Sequence, residues 1–155
     1  MTQHQRTGFP LELHGAMGSL LSHLRNTLVH VEVFLGTTYT KQMMSRIAKP
    51  RKAIDRLRCR LDTAVFQEYP TLTHAGRVYY PVAVQLAPVV PVSLEEVCRV
   101  LDAYGATMHA VADLLFEHYP VALGDAAIKL ANELTYQASE LPYAVGPPKH
   151  RRHVA

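Results

Sequence analysis

Tryptophan is absent from this 155-residue chain, cysteine occurs only twice, and no apolar run is long enough to cross a bilayer. The most apolar stretch, residues 81–92, is interrupted by Pro81, Pro88, Pro91 and Gln85. The amino-terminal MTQHQRTGFPLELHG has no apolar core of the kind a secretory signal carries, so the expected location is cytoplasmic, with no membrane partner. Cys59 and Cys98 lie 39 positions apart, which matches neither a zinc module nor a dense disulfide scaffold, and both are read as reduced thiols.

The recognised catalytic signatures are missing too. There is no phosphate-cradling glycine loop, no G-x-S-x-G elbow and no H-E-x-x-H helix, so no cofactor is expected and the reading is of a non-enzymatic protein. Zinc-finger spacing, the aromatic RRM motif and a GXXG loop in a suitable context are likewise absent.

What remains is a globular composition, 48% apolar and 19% charged, in a length that fits one domain with its own core. The periodicity is helical. Leu13, Met17, Leu20, Leu24, Leu28, Val31 and Leu35 recur at steps of three and four, which predicts a first helix ending near Gly36. Gly15 and Gly18 within it weaken the helix but permit a close neighbour.

A second helix is predicted from Pro50 to Glu68, with Ile54, Leu57, Leu61, Ala64 and Val65 on one face; Met43, Met44 and Ile47 suit an earlier helical segment, and Pro50 either begins the second helix or kinks a longer one, the break being the favoured reading. A third begins at the capping box Ser93–Glu96 and presents Leu94, Val97, Leu101, Tyr104, Met108, Val111 and Leu115. A fourth runs from Gly124 to Glu140. Between the second and third, residues 76–92 are rich in valine and tyrosine and broken by proline, which suits extended chain or a short edge hairpin. The expected fold is all-α: a four-helix bundle over residues 1–148 with a proline-rich insertion, followed by a basic, disordered tail over residues 149–155. The second and third helices end alike, in VFQEYP and LFEHYP.

Charge is sharply segregated. Residues 41–60 carry eight Lys or Arg against Asp55 alone, whereas residues 61–148 carry ten acids against three basic residues. Lys49, Arg51, Lys52, Arg56, Arg58 and Arg60 flank the apolar stripe of the second helix, and Lys149, Arg151 and Arg152 add a basic tail. Long cationic side chains in such positions cover the rim of a core while presenting charge outward. The leading expectation is therefore a surface for nucleic acid or another polyanion, held through phosphate contacts and weakened by salt. The alternative is a homo-oligomeric structural or adaptor protein whose basic and acidic segments pair between subunits.

Nine histidines raise a third reading, a metal-binding bundle. His23 and His30 share one side of the first helix, while Asp102, His109, Asp113 and Glu117 share one side of the third. The Glu-x-x-His pairs of a di-iron bundle are not present. His118 falls on the buried side of its helix, where a hydrogen-bonded structural role is the ordinary one.

Overall fold

Four helices and one 3-10 turn make up the computed structural model, which describes residues 7–81 and 86–149. Helix α1 spans Leu11–Thr38, α2 spans Lys41–Glu68, α3 spans Leu94–His118 and α4 spans Val121–Ala144. The helical bundle expected from periodicity is thus the observed architecture. Helices α1 and α2 form one antiparallel hairpin, α3 and α4 a second, and the hairpins join along α2 and α4. The start of α1 lies beside the ends of α2 and α3, because His14 meets Glu68 and Tyr119. Lys49 and Arg46 of α2 meet Glu133 and Gln137 of α4. The order is therefore up, down, down, up, and the chain from α2 to α3 must travel the length of the bundle.

The core follows the predicted stripes closely. Leu24, Leu28, Val31 and Leu35 of α1, Ile54, Leu57 and Leu61 of α2, Leu101 and Met108 of α3, and Leu130 and Leu134 of α4 are all buried.

Four boundaries differ from expectation, the simplest being α4, which runs past Glu140 and through Pro142 to Ala144. Helix α2 runs unbroken through Pro50, with no break between Ile47 and Ile54. An interior proline costs about 3 kcal/mol. Burying Ile47, Ile54 and Leu57 on the flanking turns returns about 1.5–3 kcal/mol each, so packing outweighs local propensity. Helix α1 continues two residues past Gly36, where the missing Cβ makes room for Met44 of the next helix. Helix α4 begins three residues before Gly124, a position that lets the Phe116 ring pack against the helix backbone rather than starting it.

The short hairpin considered beside extended chain for residues 76–92 is not supported: no strand occurs among the described residues, and residues 82–85 lie outside them. Pro81, Pro88 and Pro91 deny the segment ladder donors. It anchors through side chains instead. Ala75, Tyr79 and Pro91 are buried, and the Val89 N–H donates to Thr27 Oγ1 of α1 at 3.0 Å. The crossover lies so close to α1 that a Cβ on Gly18 would meet the Val78 carbonyl. Ser93 caps α3 by accepting from the Glu96 N–H at 3.1 Å, while the Glu96 carboxylate reaches back to the Val92 N–H at 3.3 Å, one residue earlier than a strict capping box.

Candidate functional site

The basic residues of α2 divide into two groups. Arg58 is buried: its Nε and Nη2 donate to the Tyr79 carbonyl at 3.2 and 2.8 Å, Nη2 also reaches Ser22 Oγ, and Nη1 reaches Asp55 at 3.4 Å. The Tyr80 ring lies over its guanidinium, 4.5 Å away. Arg51 bonds Glu32 of α1 at 2.7 Å and lies 3.7 Å from Asp55. These two arginines of the predicted anion surface thus turn their charge into the α1–α2 contact, because the crossover carbonyl and the acids lie on that side.

Lys49, Lys52, Arg56 and Arg60 are exposed. Only Lys49 has an acidic partner among the described residues, Glu133 at 3.7 Å, and its side chain is still 75% exposed. Lys149 sits apart from this group. Its N–H and its Nζ donate to the Thr38 and Gly36 carbonyls, so the first residue of the predicted disordered tail caps the end of α1 with a cation. Arg151 and Arg152 lie outside the described residues.

Lys49, Arg56 and Arg60, but not Lys52, border a groove between α2 and α4 of about 720 Å³. Pro50, Ala53 and Leu57 from α2 and Ala126 and Leu130 from α4 form its floor, and Lys129 joins Lys49, Arg56 and Arg60 at the rim. Glu133 is the one acid lining it. Ala53 and Ala126 keep the space open, since larger side chains there would fill it.

The metal reading is not assembled. Among the described residues, no three His, Cys, Asp or Glu side chains converge as a set able to hold a metal ion. His23 Nε2 is 2.8 Å from the Tyr104 hydroxyl, which ties that ring to the α1–α3 contact, and His30 is half-buried elsewhere on α1. Asp102, His109, Asp113 and Glu117 are exposed along the outer side of α3. The histidines and carboxylates fail to meet because the α3 stripe lies opposite the face that packs.

A polar cluster that sequence reasoning did not anticipate lies where α1 begins and α2 and α3 end. His14 is fully buried there, with Nδ1 2.6 Å from the Tyr79 hydroxyl and Nε2 3.2 Å from the Tyr119 hydroxyl and 3.4 Å from Glu68. A carboxylate only accepts, which places the imidazole proton on Nε2 and leaves Nδ1 to accept from Tyr79. Tyr119 donates to Glu68 at 3.0 and 3.1 Å and accepts the Phe9 N–H at 3.0 Å. Every member is satisfied with His14 neutral.

Burial drives the His14 pKa below its ordinary value against the pull of Glu68, and burial drives the Tyr79 and Tyr119 hydroxyls well above theirs. A recess of about 430 Å³ lies outside Glu68, bordered by Arg60, His118 and Tyr119. The His118 Nδ1–H donates to the Thr7 carbonyl at 3.1 Å, so the expected hydrogen bond is present, but the residue is half-buried at the edge of this recess rather than within the core. The only advance signal of this cluster was the shared Tyr-Pro ending of two helices, Tyr69-Pro70 and Tyr119-Pro120.

No helix among the described residues is long and apolar enough to cross a membrane. Comparison with protein-family models, with curated proteins and with solved structures finds no match to this chain.

Proposed function

We propose that the chain is a non-enzymatic binding protein that holds a polyanion, nucleic acid foremost, on the outward cations of α2. The observation that carries this reading is the row formed by Lys52, Arg56 and Arg60, exposed and without an acidic partner among the described residues, with Lys129 joining it across the groove. Arg51 and Arg58 serve the surface indirectly, by fixing α2 against α1 and the crossover. Phosphate contacts of this kind release counterions, so affinity falls linearly in log–log form with salt.

The test is fluorescence anisotropy with labelled single- and double-stranded oligonucleotides over a salt series, on the parent chain and on a K52E/R56E/R60E variant. Salt-dependent binding that the triple variant loses, with circular dichroism unchanged, is the expected result. Equal affinity in the two proteins would overturn the assignment.

A second reading has one specific observation in its favour. Asp102, Asp113 and Glu117 are exposed on α3 and make no salt bridge with the cations of their own chain's α2 among the described residues, an arrangement that suits pairing between copies in a homo-oligomer. That reading expects an assembly that loosens with salt in light scattering. A monomer at low ionic strength removes it.

A further inference from the structure

Phosphate contacts need cations but have no use for an apolar floor, and the groove between α2 and α4 has both. Leu57 and Leu130, each only 2% exposed, lie in its floor with Pro50, Ala53 and Ala126. Its volume, about 720 Å³, falls within the roughly 300–1,000 Å³ typical of small-molecule sites, which are mainly apolar with a few placed polar groups.

The charge along the rim is uneven. At one end Lys49 is paired with Glu133, which also accepts from Gln137 Nε2 at 3.2 Å. Arg56 and Arg60 toward the other end, and Lys129 across the groove, make no salt bridge among the described residues. Arg56 and Arg60 stand one helical turn apart, so their like charges repel until an anion sits between them. From Pro50 to Arg60 the helix rises about 15 Å at roughly 1.5 Å per residue, which gives room for an alkyl chain of medium length.

We propose that this groove binds a single-chain anionic amphiphile, a fatty-carboxylate type of ligand, with its head at Arg56, Arg60 and Lys129 and its chain over Ala53, Leu57, Ala126 and Leu130 toward Pro50 and Tyr136. The head group is drawn to the unpaired cations, and the chain covers apolar surface that the two alanines leave open. This assignment uses the same cations as the polyanion reading but stands on a separate observation, the apolar floor.

The experiment is isothermal titration of the full chain with decanoate below its micelle concentration, compared with decyl glucoside and with acetate. The glucoside keeps the chain without the charge, and acetate keeps the charge without the chain. Saturable binding of one decanoate is expected, with both comparison ligands weaker by at least about tenfold. An R56E/R60E variant loses decanoate binding. A53F and A126F, each filling the groove from one side, lose it too while retaining oligonucleotide binding; two variants are used because either substitution alone risks misfolding, which circular dichroism reports.

Decanoate binding unchanged in both folded phenylalanine variants overturns the proposal, as does equal affinity for acetate or for the glucoside, or no binding at all. Failure of the oligonucleotide titration leaves the decanoate result readable by itself, so the two readings fail separately.

Discussion

Tyr69 and Tyr119 grip the two backbone groups of a single residue: the Tyr69 hydroxyl donates to the Phe9 carbonyl at 2.9 Å, and the Tyr119 hydroxyl accepts the Phe9 N–H at 3.0 Å. Each tyrosine is the residue that ends its helix, with its own N–H bonded to the carbonyl four residues back. The matching VFQEYP and LFEHYP endings therefore perform matching tasks, stopping α2 and α3 and fastening the entry to α1 between them. The Phe9 ring fills the space so enclosed, edge-on to Tyr119 and His14.

The two tyrosines do not carry equal weight. Tyr119 is buried and serves Phe9, His14 and Glu68 together, whereas Tyr69 is half-buried and its hydroxyl makes a single bond, to the Phe9 carbonyl. Y119F leaves several buried groups short of a partner and is expected to cost about 1–3 kcal/mol; Y69F is expected to cost about 1 kcal/mol or less. Urea denaturation of the two variants gives the comparison, and a larger loss for Y69F would contradict this account of the cluster.

The His14 pKa, lowered by burial from 6.5, makes the same region sensitive to acid. Below 6.5 the unfolded chain binds a proton at this position that the folded chain refuses, so folding stability rises with pH there. The contribution of a neutral, buried His14 is complete above 6.5 and is lost as pH falls through the lower, folded-state value. Urea midpoints measured between about pH 8 and pH 5 are expected to drop toward acid more steeply in the parent than in H14Q. Parallel curves would mean that His14 titrates as freely as an exposed histidine.

How much of this was legible in the sequence depends on the distance over which each feature is decided. The helices were readable because their apolar residues repeat every three or four positions, a local signal that the core then confirms at Leu28, Leu61 and Leu101. The break favoured at Pro50 does not occur because local propensity sees only the cost of the proline, while the compensating burial of Ile47, Ile54 and Leu57 comes from the rest of the bundle. The His14 cluster was invisible because its partners Glu68, Tyr79 and Tyr119 stand 54, 65 and 105 positions away. For the candidate site, the enrichment of α2 in cations was plain, but which of them face outward was decided by the crossover, whose Tyr79 carbonyl claims Arg58.

That division gives a sharp contrast between two arginines two positions apart. Arg58 holds a planar fork against one carbonyl and stacks under Tyr80, a geometry lysine does not reproduce, so R58K is expected to lose about 1–3 kcal/mol of stability. Arg56 is exposed and makes no salt bridge among the described residues, so R56A should change stability by less than about 0.5 kcal/mol while weakening anion binding. Thermal or urea unfolding alongside the oligonucleotide titration checks both halves. A destabilised R56A or an unaffected R58K would show that the two groups of cations have been assigned the wrong way round.

Gly15 and Gly18 look interchangeable in the sequence, three positions apart on one helix, yet they should respond oppositely to the same change. A Cβ at Gly15 would meet nothing within 4 Å, and neither glycine has a positive φ, so G15A gains helix propensity without conflict and should stabilise the protein by about 0.5–1 kcal/mol. At Gly18 the same carbon would collide with the Val78 carbonyl, and backbone cannot swing aside as a side chain does. Displacing the crossover disturbs the Tyr79 hydroxyl on His14 and the Tyr79 carbonyl on Arg58 together, so the propensity gain is overwhelmed and G18A should destabilise by about 1–3 kcal/mol. Opposite shifts in the urea midpoint are the expected outcome. If both variants were stabilised, the crossover would not rest on α1, and the burial of Tyr79 that joins the polar cluster to the basic helix would have to be abandoned.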